Sequence, residues 1–236
     1  MTRIDRQPGL VLHRRAYRET SLIVELFTPE FGRVGLVARG ARSARSSMRG
    51  TTEPFRLLEA SWTRRGELGT LTGLEPAGRG AGPGPGLAGR ALWCGLYANE
   101  LLLKLLPRDV PEPSLYAAYL QLLARLPDSA GQGGALRCFE LKLLQALGVA
   151  PELGRVSETG EPVGPDCYYR VEPAVGPVPS RPGEQDACPG RVLLALSAAE
   201  PLAGSDARHA RQLMRRLLEH QLEGKVLHAR RLFGGS

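Results

Sequence analysis

The chain has 236 residues, of which 42% are apolar and 23% charged, and its formal net charge is +7. This composition supports an ordinary buried core and excludes a broadly disordered chain. It also disfavours a membrane span, because the most apolar stretch, residues 87–106, is interrupted by Arg90, Glu100 and Lys104. The first residues carry no apolar segment of the kind found in signal peptides, so we expect a cytoplasmic protein.

The positive charge is concentrated at the front of the chain. Residues 1–80 contain 14 Arg and 8 Asp or Glu, whereas residues 81–236 contain 17 basic and 16 acidic residues. A bias in base composition explains why only three basic residues are lysines. It does not explain why carboxylates are scarce only at the front. The asymmetry therefore predicts a polyanionic partner for the first third of the chain.

Residues 10–75 are predicted to form β-strands. Leu22, Val24 and Leu26 alternate toward one face, as expected for a half-buried strand. Similar apolar runs separated by Gly and Pro predict five strands, at residues 10–17, 21–27, 33–39, 53–62 and 67–74. The connections are too short for crossover helices, so the sequence predicts a small barrel or sandwich.

A cluster of Gly and Pro at residues 76–89 follows the strands. It lacks the Lys and the Ser or Thr of a phosphate-binding loop, so we interpret it as a linker. The predicted organisation is a first domain at residues 1–78, a linker at 79–90 and a second domain at 91–236.

The second domain is predicted to be helical. Apolar periodicity indicates helices at residues 88–106, 114–126, 134–147 and 205–224. Residues 149–190 are rich in proline, and we interpret them as irregular or as a short hairpin near residues 167–171. The predicted fold class is therefore α+β with two domains: a five-stranded β-domain, then an all-α domain with an irregular, Pro-rich insertion.

Motifs for catalysis or metal binding are absent from the sequence. The histidines and cysteines are scattered, at His13, His209, His220 and His228 and at Cys94, Cys138, Cys167 and Cys188. They form neither a C-x-x-C pair nor an H-E-x-x-H motif, and no nucleophile elbow is present. We expect reduced cysteines, no enzymatic activity, no metal and no cofactor.

A segment rich in arginine connects the third and fourth predicted strands. Residues 39–50, RGARSARSSMRG, contain four arginines and no carboxylate. Guanidinium groups match phosphate oxygens, and a small barrel with a basic rim commonly holds single-stranded nucleic acid. The predicted DNA-binding residues are Arg14, Arg15, Arg33, Arg39, Arg42, Arg45, Arg49, Arg64 and Arg65, with Arg18 on the same rim. The alternative is a solvated turn.

Aromatic residues accompany these arginines in the sequence. Tyr17, Phe27, Phe31 and Trp62 could supply faces on which bases stack. Packing in the core is the alternative, and for Phe27 and Trp62 it is at least as good an interpretation.

Four motifs in chain order resemble the RecO family of bacterial DNA repair proteins, which are recombination mediators. They are VLHRRAYRETSLIVELFTPEFGRVGLVARGARSARS (residues 11–46), GLYANELLLKLL (95–106), LRCFELKLLQALG (136–148) and LMRRLLEHQLEGKVLHARRLF (213–233). The resemblance covers most of the chain. It implies an N-terminal OB-fold barrel followed by an α-helical domain, with residues 39–50 between the third and fourth strands.

The resemblance also implies a function. Members of the family bind single- and double-stranded DNA, anneal complementary strands and engage the single-stranded DNA-binding protein. With RecR they help to load RecA, and they have no known catalytic activity. A nucleoid-associated protein is the corresponding expectation.

One departure from the family concerns zinc, which many members hold with two C-x-x-C pairs. Here Val156 and Thr159 stand where the first pair would fall, while Cys167 and Cys188 stand alone. Four thiolates cannot be assembled from these residues, so we expect no structural zinc.

The acidic, apolar-ended tail of the single-stranded DNA-binding protein needs an apolar cleft with a cationic rim. The predicted site for this tail is Leu136, Arg137, Phe139 and Leu143. For Arg137 a salt bridge to Glu140, or packing of its stem between leucines, is an open alternative. For the whole chain the rival function is a non-catalytic scaffold whose basic loop docks an acidic protein, and a weaker one is a nuclease.

Overall fold

The computed structural model describes residues 2–43, 46, 48, 51–78 and 86–229. The chain forms two compact units, Met1–Pro127 with Leu227–Ser236, and Asp128–Val226. The predicted linker at 79–90 falls inside the first unit, and its residues 79–85 lie outside the described part. The division into domains at that linker stays a prediction.

The first unit contains a closed barrel. Its described strands are β1 (Thr2–Tyr17), β2 (Ser21–Thr28), β3 (Gly32–Ala38), β4 (Leu57–Arg64) and β5 (Leu68–Pro76). They are arranged in the order β1-β2-β3-β5-β4, and β1 pairs with β4 to close the barrel. The β3–β5 pair is parallel and the other pairs are antiparallel. This is the five-stranded Greek-key barrel of the OB type, so the predicted fold is confirmed.

Alternation of side chains decides which face of each strand fills the barrel. Val24 pairs with Leu36 and Leu26 pairs with Val34, and all four side chains are buried in one core cluster. Trp62 of β4 joins the same cluster and is 1% exposed. The alternating residues of β2, Leu22, Val24 and Leu26, all lie in this cluster, as their spacing predicts. The expected half-buried strand is not observed, because every residue of β2 is buried and its second face is covered as well.

Strand β1 is longer than predicted. Its first half pairs with β4, although TRIDRQPG is polar and contains Pro8, which obscures the strand signal. The pairing shifts register between Ile4 and Gln7, and Arg6 there has a positive φ of 49°. A bulge of this type accommodates an irregular residue without ending the strand.

Two helices, α1 (Gly89–Leu105) and α2 (Pro113–Arg125), belong to the same unit as the barrel. The buried Asn99 amide donates a hydrogen bond to the Leu12 carbonyl of β1 at 2.8 Å, and the Tyr119 hydroxyl donates to Asn99 Oδ1. The ring of Phe27, on β2, lies 5.4 Å from that of Tyr116. Both helices are therefore fastened to the outer surface of β1 and β2 by specific buried contacts.

The second unit is described by its own elements: α3 (Gln132–Ala146), β6 (Tyr168–Glu172), β7 (Gly176–Ser180), β8 (Cys188–Pro189), α4 (Gly190–Ser197) and α5 (Gly204–Leu222). The hairpin predicted near residues 167–171 is confirmed as β6–β7, and β8 extends it to a three-stranded sheet. The predicted all-α domain therefore contains a small sheet. Helix α4 was not predicted, because eight residues are too few to show a helical period.

Candidate nucleic-acid interface

A cleft opens at one end of the barrel, with a volume of about 570 Å³. It lies beside the β1–β2 loop at residues 18–20 and the start of β5. The lining residues are Tyr17, Arg18, Glu19, Thr20, Ser21, Val37, Arg39, Gly40, Leu68, Gly69 and Thr70. We call this surface the loop cleft. In OB-folds, the β1–β2 and β4–β5 loops commonly contact oligonucleotides.

Strand pairing determines the position of the loop cleft. Tyr17 pairs with Ser21 across the β1–β2 turn, while Val37 of β3 pairs with Thr70 of β5. The end of β3 therefore lies between the two loops. Arg39 is the first residue after β3, so it lies in the cleft together with Gly40, at the start of the arginine-rich segment.

The cationic side chains of the loop cleft are open to solvent. Arg18 and Arg39 are exposed, and the Arg18 guanidinium lies 5.2 Å from the centre of the half-buried Tyr17 ring. Arg42 is also exposed and donates to the Arg18 carbonyl at 3.3 Å. Among the described residues, no carboxylate forms an ion pair with these three arginines, although Glu19 lines the same cleft. The arrangement can bind an anion with little competition.

Three arginines of the predicted site form salt bridges with carboxylates instead. Arg14 pairs with Glu53 at 2.6 Å, Arg33 with Glu25 at 3.2 Å, and Arg64 with Asp109 at 2.5 Å. Arg33 is also only 15% exposed and donates to the Leu106 carbonyl at 3.0 Å. Burial lowers the pKa of the Arg33 guanidinium from its ordinary value, against the opposing effect of Glu25. The structure does not bring Arg33 into the loop cleft, because its guanidinium already contributes to packing of the unit.

The other predicted arginines fall into two groups. Arg15, on β1, and Arg65, in the β4–β5 turn, are exposed. Arg45 and Arg49 lie outside the described residues. Arg65 is four positions before Gly69 of the cleft lining, so it remains a candidate contact at that loop.

The predicted stacking aromatics divide in the same way. Phe27 and Trp62 are buried in the barrel unit, and Phe31 packs edge-on against Trp62 with ring centres 5.3 Å apart. For these residues the core interpretation is correct. Tyr17 alone among the four lines the loop cleft.

The predicted site for a partner tail lies on α3. Arg137 forms a 2.5 Å salt bridge with Glu140, and their side chains are 12% and 1% exposed. Leu136, Phe139 and Leu143 are buried. The salt-bridge alternative is therefore the one observed, and these apolar side chains are not open to a peptide in this structure. Binding of a tail by this group stays a prediction.

No group of three or more His, Cys, Asp or Glu in the described part of the chain could hold a metal ion. At the positions relevant to zinc, Val156 is buried, Cys167 is exposed and Cys188 is buried. Burial raises the pKa of the Cys188 thiol to about 12, which opposes formation of a thiolate ligand. Absence of zinc remains an expectation. Separately, none of the described helices has both the length and the apolar character that crossing a bilayer requires.

Sequence reasoning missed the acids that occupy the arginines. Asp109 is 45 residues from its partner Arg64 in the sequence. Glu25 pairs with Arg108 as well as Arg33, and Arg108 is 83 residues from Glu25. No local pattern signals such pairs, since they arise only when the segment after α1 returns to β3. No motif in the sequence marked Leu68 and Thr70 as residues of the cleft either.

Comparison with known proteins identifies the family along the whole chain. The family model described as "Recombination protein O N terminal" matches residues 1–79, and "Recombination protein O C terminal" matches residues 87–231. A protein named DNA repair protein RecO from Alkalilimnicola ehrlichii is 47% identical, covering 96% of this chain and 90% of that relative. RecO proteins of Methylococcus capsulatus and Dechloromonas aromatica are each 42% identical, covering 96% and 98% of this chain and 91% and 96% of the relatives. The chain therefore belongs to the RecO family.

Proposed function

We propose that this protein acts in DNA repair as a recombination mediator without catalytic activity, binding single- and double-stranded DNA irrespective of sequence through the loop cleft. The observation that carries the proposal is the meeting of Arg18 and Arg39 beside Tyr17, with no carboxylate paired to either arginine among the described residues. Membership of the RecO family supports the role in repair and recombination.

The geometry suits a nucleic-acid backbone with exposed bases. Two guanidinium groups can each donate two hydrogen bonds to a phosphate, and the Tyr17 ring offers a stacking surface to an unpaired base. Backbone contacts carry no sequence information, so binding would tolerate any sequence. Arg42, Arg65 and the arginines at positions 45 and 49 would extend the contact along the strand.

Annealing and loading follow from the same contact. Neutralised phosphates offset the repulsion between two strands while leaving base edges free to pair. The domain at residues 91–236 would hold the single-stranded DNA-binding protein by its acidic tail, and the protein would act with RecR to load RecA. These protein contacts rest on the family alone.

The experiment is a fluorescence titration of labelled single-stranded DNA across a salt series, comparing wild type with Arg18→Ala/Arg39→Ala. If about four to six phosphates are contacted, log affinity falls against log salt with a slope of roughly −3 to −4. The double variant should bind more weakly and flatten the slope by about 1.4, since each lost phosphate contact removes about 0.7. Arg125→Ala/Arg181→Ala removes the same charge from exposed positions outside the cleft and should change the slope little.

Equal slopes for the two double variants would rule out the loop cleft as the DNA site. If the wild type failed to bind DNA, the cleft would instead suit an acidic protein, as in the scaffold alternative. Cleavage of the DNA on addition of Mg²⁺ would contradict a non-catalytic mediator.

A further inference from the structure

The segment between α1 and α2, residues 106–112, runs alongside the start of β3. The Asp109 amide donates to the Arg33 carbonyl at 3.0 Å, and Arg33 and Arg108 form a parallel bridge. A side chain at Gly32 would have its Cβ 2.0 Å from the Val110 carbonyl oxygen, so the approach requires glycine. Backbone contacts therefore fix the position of Asp109 beside the barrel.

From this position Asp109 forms a bidentate salt bridge with Arg64 through both carboxylate oxygens. The two terminal nitrogens of Arg64 lie 2.5 Å from Oδ1 and 2.6 Å from Oδ2, and Arg64 Nε donates to the Gly66 carbonyl at 2.8 Å. This two-pronged geometry is the one in which arginine also binds phosphate oxygens. The carboxylate therefore occupies the atoms of Arg64 that a phosphate would use.

Arg64 lies next to the loop cleft. It pairs across the strands with Gly69, which lines the cleft, and it begins the turn that contains Arg65. The side chains of Arg64 and Asp109 are 30% and 39% exposed. Ion pairs that water can reach are weak, so another anion can exchange with this carboxylate. The Arg33–Glu25 pair differs, since its side chains are only 15% and 10% exposed.

We propose that Asp109 competes with a DNA phosphate for the Arg64 guanidinium and thereby sets the strength and salt dependence of DNA binding at the loop cleft. The inference rests on the proposed function. Asp109 acts through Arg64 and does not touch the DNA itself. It limits the affinity of a protein that must release one strand to a partner.

The test is a double-mutant cycle in the DNA titration across salt. Asp109→Asn keeps the shape of the side chain and removes its charge, so Arg64 becomes available to a phosphate. Binding should tighten about three- to tenfold, and the salt slope should steepen by about 0.7. Asp5→Asn is the matched control, because Asp5 also pairs with an exposed arginine of the barrel, Arg3 at 2.9 Å.

In the Arg64→Ala background, Asp109→Asn should have no more effect than Asp5→Asn. A gain of the same size with and without Arg64 would mean that only general charge matters, and the proposal would be wrong. No gain over the Asp5→Asn control would also overturn it. Asp109→Ala repeats the test without the amide, and a thermal melt shows that each variant is folded.

This outcome is separable from failure of the proposed function. If Arg18→Ala/Arg39→Ala binds DNA as wild type does, while Asp109→Asn tightens binding only when Arg64 is present, DNA binds at Arg64 and not in the loop cleft. If neither wild type nor Asp109→Asn binds DNA, both proposals are wrong.

Discussion

Two groups of arginines in the barrel unit have opposite surroundings. In the loop cleft, Arg18 and Arg39 are exposed, and no described carboxylate pairs with them. Beside the segment after α1, Arg33 and Arg108 share Glu25, and Arg64 is held by Asp109. We call this second group the connector cluster: Glu25, Arg33, Arg64, Arg108 and Asp109.

The difference shows that a count of arginines does not locate a binding surface. Both groups lie in the basic first third of the chain or next to it in space. In the connector cluster, however, the buried Glu25 pairs with Arg33 and Arg108, and these contacts fasten residues 106–110 to β2 and β3.

A guanidinium that satisfies a buried carboxylate, as Arg33 does with Glu25, contributes to stability and is lost to a ligand. Arg64 differs, because its partner Asp109 is exposed and a phosphate can compete with it. Unpaired, exposed cations such as Arg18 and Arg39 exchange counterions for phosphates without such competition.

The largest expected effect is on stability and comes from Glu25. Glu25→Gln leaves Arg33 and Arg108 without their shared charge, in a site where the Glu25 side chain is 10% exposed. The free energy of unfolding should fall by about 3 kcal/mol, measured by urea denaturation followed by circular dichroism. Glu19→Gln, in the loop cleft, is the matched control and should cost less than about 0.5 kcal/mol. Similar losses for the two variants would erase the contrast between the two groups.

A smaller effect on stability is expected at Glu100 of α1, whose carboxylate accepts hydrogen bonds from backbone amides and also forms an ion pair. Its carboxylate accepts hydrogen bonds from the amides of His228 and Ala229, at 2.9 Å and 2.7 Å, and pairs with Lys104. Glu100→Gln should lower the free energy of unfolding by about 1–2 kcal/mol at pH 7, because charge-assisted bonds become neutral ones.

The Glu100 contribution should depend on pH. Burial by itself would raise the pKa of this carboxyl, but the amides of Ala229 and His228 and the charge of Lys104 together lower it below its ordinary value. Because the folded pKa lies below the unfolded one, the stabilisation is complete above about pH 4.3 and is lost as the pH falls through the folded pKa. Urea titrations of wild type and variant across pH 3–7 measure this. A difference that grew toward acid would contradict the assignment.

The smallest expected effect on stability is at Arg39. Arg39→Ala should change the free energy of unfolding by less than about 0.5 kcal/mol, because the side chain is exposed and forms no described ion pair. The same variant should weaken binding of single-stranded DNA and flatten the salt slope by about 0.7. A marked loss of stability would mean that Arg39 has a structural role like the arginines of the connector cluster, and would contradict its assignment to the open cleft.

Most of the fold was predictable because its signals are local. The alternation of Leu22, Val24 and Leu26 predicted β2, and the helical periods predicted α1, α2, α3 and α5 within a few residues. The misses have physical reasons. Polar side chains and Pro8 concealed the first half of β1, and the eight residues of α4 are too short for a period to appear.

The candidate site was predictable only in part. The sequence indicated the rim arginines as a class, and the structure brings Arg18 and Arg39 together with Tyr17. It could not indicate which arginines have acid partners, since Arg33 and Arg64 meet Glu25 and Asp109 only in the folded chain. Nor could it indicate that Leu136, Phe139 and Leu143 are buried around an internal salt bridge and not displayed.

The sequence by itself determined the five strands of the barrel, four of the helices, the basic character of the first third and the family. These properties follow from periodicity, composition and motifs, which depend on residues close together in the chain. Tertiary structure alone decided which guanidinium groups remain open, because an ion pair depends on distance in space and on burial. In this protein that decision separates arginines that hold the barrel and its helices together from those that are open to an anionic ligand.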